Sequence, residues 1–205
     1  MAVTPPPPID DTQDPNEDAR QDGILMQRVA TGDAGAFREL VEKHQNRVIG
    51  TIAKMLGDGR DAEDLAQYVF LRVWNSAARY EPRAKFTTWL YTITRNLVFN
   101  EIRRRERSRS DSLDARIENT GDVFVDPSTV RADEAVLREE LEAAIQSAMD
   151  ALSPTQRMAI VLRRYEDLSY EEIAVVMELT VSSVKSLLFR ARNELKERLA
   201  PYLDG

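Results

Sequence analysis

Cysteine is absent from the 205-residue chain, and histidine occurs once, as His44. The first absence excludes disulfides and thiolate metal sites; the second excludes a multi-histidine metal centre and a cysteine–histidine nucleophilic pair. No apolar run approaches the roughly 20 residues that span a bilayer. The N-terminal stretch MAVTPPPPIDDTQDPNEDAR lacks the basic and apolar regions of a signal peptide, so a soluble cytoplasmic protein is expected. Neither a nucleophile–base pair nor a phosphate-cradling glycine loop stands out. The expectation is therefore a non-enzyme with no metal and no cofactor.

Against these absences, the stretch KFTTWLYTITRNLVFNEIRRRER, Lys85 to Arg107, is rich in both aromatics and arginine. It reads as one helix, with Arg103, Arg104, Arg105, Arg107 and Arg109 at or just past its end. Trp89, Ile93, Leu97 and Ile102 recur at steps of four or five, so one face can pack while others stay available. Arginines meet phosphates and exposed aromatics stack on unpaired bases, which suits single-stranded or opening nucleic acid. An amphipathic core helix with cations answering its C-terminal dipole fits the same residues.

The formal net charge of −7 looks wrong for a nucleic-acid binder until it is resolved along the chain. Residues 111–142 carry ten acids against three arginines, whereas residues 95–110 carry six arginines against two acids. Acidity and basicity are segregated. A chain this acidic repels duplex DNA at long range, so strong engagement requires a partner.

Residues 1–21 are rich in proline and acid, and are expected to form a disordered tail, with a partner-binding arm as the minority alternative. Residues 22–107 read as an N-terminal helical domain. Ile24, Leu25 and Val29 start a short helix ending near Thr31-Gly32, and Asp33 caps a second with Phe37, Leu40, Val41, Val48, Ile52 and Met55 on its apolar face. Gly57-Asp58-Gly59 breaks that helix, and Asp61 is placed to cap a third, DAEDLAQYVFLRVW. Residues 108–134 read as a flexible acidic linker, and residues 135–205 as a second helical domain. The expected class is all-α: two small helical domains on a tether.

The second domain carries a helix-turn-helix pattern. Ser153-Pro154 starts one helix, and Ser169 with Glu172 makes a capping box for the next. Thr180 caps the last helix, in which Val184, Leu188 and Ala191 face inward. Ser182, Ser183, Lys185, Ser186, Phe189 and Arg190 then point outward near its N-terminal half, which suits a recognition helix in a major groove. An ordinary helical hairpin with a basic face is the blander account.

Taken in order, GDAGAFRELVEKHQNRV, DAEDLAQYVFLRVW, FTTWLYTITRNLVFNEIRRRER and LSPTQRMAIVLRRYEDLSYEEIAVVMELTVSSVKSLLFRARNEL resemble the motifs of a bacterial sigma factor of the extracytoplasmic-function group. The resemblance covers about residues 24–107 and 136–199. It implies that the helix Asp61–Trp74 docks on a coiled coil of the RNA polymerase large subunit through Asp61, Glu63, Asp64 and Gln67. Dipole complementarity at a helix N-terminus explains part of that acidity. The resemblance also implies that Tyr80, Lys85, Phe86 and Asn96 line a pocket for an extruded base of the minus-ten element, with Arg95, Arg103 and Arg104 on its backbone. Trp89 is assigned to the core. The recognition helix would read the minus-thirty-five element through Ser182, Ser183, Lys185, Ser186, Phe189 and Arg190.

Two positions depart from the family pattern. Tyr68 stands where the docking motif usually has an acid, and Leu187 where an arginine is common, which implies a lost phosphate contact. The partners implied are core RNA polymerase, promoter DNA and an anti-sigma factor. The acidic linker would lie near the polymerase's nucleic-acid channel and compete with RNA or DNA there. A stand-alone helix-turn-helix regulator is the alternative from a neighbouring class, and a protein-interaction adaptor the alternative from a different one.

Overall fold

The computed structural model describes residues 15–57, 61–81, 85–113 and 133–203. Among them the elements are all helical: α1 (Pro15–Ala30), α2 (Ala34–Leu56), α3 (Ala62–Ser76), a single 3-10 turn (Ala77–Arg79), α4 (Phe86–Leu113), α5 (Asp133–Ala151), α6 (Pro154–Arg164), α7 (Tyr170–Met177) and α8 (Val181–Leu203). Helix α1 starts at Pro15, inside the segment expected to be tail, and buries Asp22 at 2% exposure. Helix α4 continues to Leu113, into the span expected as linker. The rest of both expectations, residues 1–14 and 114–132, lies outside the described residues.

Most boundaries follow from local chemistry. Asp33 Oδ1 accepts from the amides of Gly35 and Ala36 at 2.8 and 3.0 Å, satisfying orphan donors at the start of α2. Gly57 ends that helix in the left-handed region at φ 68°, where only glycine escapes the Cβ penalty. Ser153 and Gln156 form a capping box on α6, and Ser169 and Glu172 form another on α7. Ser169→Ala should cost about 1 kcal/mol of stability, measurable by urea unfolding.

Asp61 does not cap α3. Its backbone sits at φ −88° and ψ −3° with no side-chain cap bond, outside the extended region that aims a capping oxygen at the first turn. Its carboxylate instead takes a hydrogen bond from Arg105 Nη2 at 2.6 Å.

The stripe on α4 is rotated from the expected one. Phe86, Leu90, Tyr91, Thr94 and Val98 are buried, while Trp89, Ile93, Leu97 and Ile102 are partly buried beside them. The helix is apolar over most of its first half because two bodies cover it: α3 and α2 on one side, α7 on another. Periodicity locates a single buried face well, and it misleads when a second domain covers a second face.

The two helical domains pack directly on each other, α2 against α6 and α4 against α7. Their buried side chains form one continuous apolar core running from Leu25 and Met26 to Leu188 and Ala191. Arg157 ties the junction on one side. Its Nη1 donates to Met55 O at 3.0 Å at the C-terminal end of α2, and its Nη2 to Asp150 O at 2.6 Å. A guanidinium on the last carbonyls of a helix also complements the helix dipole.

Candidate nucleic-acid interface

Helix α3 displays an acid-edged apolar patch. Asp61, Glu63, Asp64 and Gln67 are exposed, and so are Tyr68 at 60% and Leu71 at 54%. Steps of three and four put Asp64, Gln67, Tyr68 and Leu71 on one side of the helix. The opposite side, through Ala66, Val69, Phe70 and Val73, is core. Tyr68 therefore enlarges the exposed patch and packs on nothing inside.

The residues expected at the minus-ten element divide into three groups. Tyr80, Phe86 and Trp89 form an aromatic cluster, with ring centroids 5.2 to 6.3 Å apart. Phe86 has no exposure at all and also meets His44, at 5.2 Å between centroids, so it supports Tyr80 from behind. Tyr80 is half-buried; burial, reinforced by the charge of Asp22, raises its hydroxyl pKa and keeps it protonated as a donor.

Lys85 and Arg95 form the second group, and both turn toward the second domain. Lys85 Nζ lies 3.1 Å from Glu172 Oε1. Arg95 Nε donates to Val176 O at 2.9 Å, and Nη2 meets Glu178 Oε1 at 2.5 Å.

Asn96, Arg103 and Arg104 are the third group, all exposed along α4. Arg103 bonds Asn100 at 2.6 Å and Arg104 bonds Glu101 at 2.7 Å. At 1.5 Å rise per residue, Arg104 stands roughly 27 Å along the helix from Phe86. The structure gathers a compact aromatic cluster and, apart from it, a basic rod.

Several residues central to this face were missed from sequence. Asp22 is buried and accepts from Lys43 Nζ at 2.7 Å and His44 Nε2 at 2.9 Å. Burial raises its pKa, but the hydrogen bonds and charges of His44 and Lys43 outweigh burial and leave it below the usual carboxylate range. Glu166, in the turn after α6, is 7% exposed. Thr51 Oγ1 donates to its Oε1 at 2.7 Å, Arg47 Nε to its Oε2 at 3.0 Å, and the Tyr91 hydroxyl bonds the same Oε2. Burial first, then the charge of Glu166, pushes the Tyr91 pKa far up, so its proton stays in that bond. A signal existed: His44 and Thr51 fall in register with Leu40, Val48, Ile52 and Met55, and polar groups on a buried stripe demand buried partners.

In the second domain the recognition pattern holds its shape. Ser182, Ser183, Lys185, Ser186, Phe189 and Arg190 are exposed on α8, while Val184, Leu188 and Ala191 are buried. Thr180 Oγ1 accepts the Ser183 amide at 3.1 Å, the expected cap, and it also shares a hydrogen bond with the Ser183 hydroxyl at 2.8 Å. Leu187 is 9% exposed and belongs to the core. Its position faces inward, so the expectation that a phosphate contact was lost there is corrected: the leucine is a packing residue.

Among the described residues no group of three or more acids or histidines is placed to hold a metal ion, and no helix is long and apolar enough to cross a membrane.

Comparison with known proteins follows the same division. Residues 40–108 match the family model of Sigma-70 region 2, and residues 142–195 that of Sigma-70 region 4. The RNA polymerase sigma-H factor of Pseudomonas aeruginosa is 35% identical over 187 residues, covering 89% of this chain and 96% of that protein. The ECF RNA polymerase sigma-E factor of Escherichia coli K12 is 32% identical over 186 residues, with the same coverage of 89% and 96%. The chain belongs to the extracytoplasmic-function (ECF) sigma factors.

Two solved structures agree on the fold. CnrH in complex with the cytosolic domain of CnrY aligns with a TM-score of 0.65 at 25% identity, covering 88% of this chain and 98% of that one. The sigma factor RpoE of Bartonella quintana, in complex with the anti-sigma factor NepR, aligns with a TM-score of 0.62 at 26% identity, covering 80% and 96%. As an ECF sigma factor the chain is a non-catalytic initiation factor: it binds core RNA polymerase and directs transcription to promoters. It is not a stand-alone regulator. Its acidic net charge fits that dependence, since the polymerase brings the DNA.

Proposed function

We propose that this sigma factor meets its partners through three surfaces. Asp61, Glu63, Asp64 and Gln67 bind core polymerase, with Tyr68 and Leu71 as the apolar centre of that contact. Tyr80, supported from behind by the buried Phe86, forms the stacking side of a pocket for a base extruded from the minus-ten element, with Asn96, exposed farther along α4, as its polar contact. Lys85 lines the same pocket, and Arg95, Arg103 and Arg104 hold the strand backbone. Ser182, Ser183, Lys185, Ser186, Phe189 and Arg190 read the minus-thirty-five duplex. Residues 22–107 and 135–205 form the two binding domains, and residues 108–134 the acidic connection between them.

The observation that carries this reading is α8. Six residues able to meet phosphates or base edges share its exposed side, directly opposite a buried Val184–Leu188–Ala191 seam. Stacking and pocket hydrogen bonds offset the few kcal/mol that extruding a base costs. An anti-sigma partner is part of the proposal, supported by the two structural relatives, one solved with the anti-sigma factor NepR and the other with the cytosolic domain of CnrY. Cytoplasmic residence belongs to it as well, as the compartment of the polymerase.

Transcription by core polymerase plus this protein on a random promoter library tests the reading. Enriched paired motifs at a fixed spacing are expected; no enrichment would sink it. On a promoter recovered in this way, Lys185→Ala and Arg190→Ala are each expected to weaken holoenzyme binding. Each should also lower the slope of log affinity against log salt by about 1, as loss of one phosphate contact does.

A further inference from the structure

We infer that α1 is a working part of the minus-ten site: Asp22 and His44 are positioning residues that orient the Phe86 ring and, through it, the stacking face of Tyr80. This rests on the reading of Tyr80 as the stacking side of the base pocket.

A chain of oriented contacts runs from α1 to that face. Both carboxylate oxygens of Asp22 are engaged, Oδ1 by Lys43 Nζ at 2.7 Å and Oδ2 by His44 Nε2 at 2.9 Å. Two donors from neighbouring residues of α2 restrain the carboxylate, and the carboxylate restrains the imidazole. That ring meets Phe86 at 5.2 Å between centroids and 54° between planes. Phe86 stands edge-on to Tyr80, at 6.3 Å and 71°. Ring quadrupoles make such tilted and edge-to-face pairs directional, so a turn of one ring is felt by the next.

Helix α1 also braces the backbone that delivers Tyr80. It packs on the 3-10 turn Ala77–Arg79, where the Ala77 carbonyl accepts the Tyr80 amide at 3.0 Å. The charge of Asp22 reaches the Tyr80 hydroxyl. Yet Asp22 and the whole of α1 precede residues 40–108, the part that matches Sigma-70 region 2.

Stability alone does not account for the polar pair. Apolar side chains of similar size in the same buried space would join α1 to α2 about as well. A hydrogen bond adds direction, since it constrains angle as well as distance. Direction matters for stacking: ordering a loose ring at the moment of binding subtracts from the free energy that stacking yields. Tyr80, half-buried and supported from behind, is ordered before the base arrives.

The test uses holoenzyme on a promoter recovered from the library, with an abasic site moved through each position of the minus-ten element. Wild type should open the intact promoter faster than the one lacking the extruded base. His44→Gln keeps a donor for Asp22 but sets no ring against Phe86. It should lower the opening rate of the intact promoter about tenfold, the scale of one lost oriented ring contact. Its opening rate on the abasic promoter, and its affinity for the closed duplex, should match wild type. In a Tyr80→Ala background, His44→Gln should add nothing further. Asp22→Asn retains an acceptor for His44, so it should discriminate the two promoters as wild type does, and it serves where Asp22→Ala fails to fold.

A merely structural role predicts otherwise: His44→Gln would slow both promoters alike and would add to Tyr80→Ala. Either result overturns the inference, as does a loss in Asp22→Asn equal to that in His44→Gln. If wild type opens intact and abasic promoters alike at every position, the base-pocket reading falls and the brace with it. If wild type discriminates and His44→Gln discriminates equally well, the pocket stands and the brace alone falls.

Discussion

Asp22→Ala is expected to destabilise the protein by about 2–4 kcal/mol, because it leaves buried donors without their acceptor. Asp22 is 2% exposed, and His44 4%. Loss of the carboxylate strands His44 Nε2 in the core, beside the Phe86 ring, and releases Lys43. One carboxylate thus pins α1 to α2 and, through His44 against Phe86, to α4. Urea unfolding at pH 7 measures the loss.

Acid titration adds a second check on the same residue. The folded-state pKa of Asp22 lies below its ordinary value of 3.8, so its contribution is complete above that value. It is lost as pH falls through the depressed folded value. Asp22→Asn lacks the titration, so the stability gap between wild type and variant should narrow as pH drops below about 4. Asp33, Glu101 and Glu172 are depressed as well, but they titrate alike in both chains and leave the difference to Asp22. A gap that stays constant with pH would contradict the assignment.

Asp64→Ala combined with Tyr68→Ala should reduce binding to core polymerase by at least about 30-fold, the scale of an interface hot spot. Both side chains are exposed, and neither contributes to the core of α3. The thermal midpoint should therefore stay within a degree or two, as surface changes away from caps and networks are usually near-neutral. A buried aromatic anchor ringed by polar groups is the usual anatomy of such a contact. Tyr68→Glu, which places an acid where the family commonly has one, discriminates further. Tighter binding would show that charge dominates the contact; weaker binding would show that the ring does. Surface-immobilised core polymerase and a concentration series of each variant supply the measurement.

Local chemistry was legible from sequence because its partners lie within four residues. The caps of Asp33, Ser153, Ser169 and Thr180 and the stop at Gly57 all depend on neighbours in the chain. Asp61 read as a cap by the same rule, yet Arg105, 44 residues away, holds its side chain. Asp22, at the edge of the acidic tail, drew no reading as a buried residue, because composition counts charge and does not see Lys43 and His44, more than 20 residues on. Leu187 read as a missing cation because an arginine is common at that position in the family; here its side chain is buried in the core.

The candidate surfaces divide in the same way. The exposed row on α8 was legible because its cap and its buried seam lie in the same helix. The state of Lys85 and Arg95 was not, since their carboxylate partners belong to the other domain. Tyr91 and Glu166 are separated by 75 residues, and no periodicity connects them.

By itself, then, the sequence determined the presence of the helices, those ends set by local caps, the all-α class and the order of motifs that marks an ECF sigma factor. Each of these follows from backbone hydrogen bonding and apolar spacing within a few residues. Tertiary structure alone decided which face of α4 is buried, that Phe86 is core, and that acids of the second domain cover cations of the first. The cause is range: caps and turns are satisfied locally, whereas a buried charge is settled only by whichever distant donors folding brings around it.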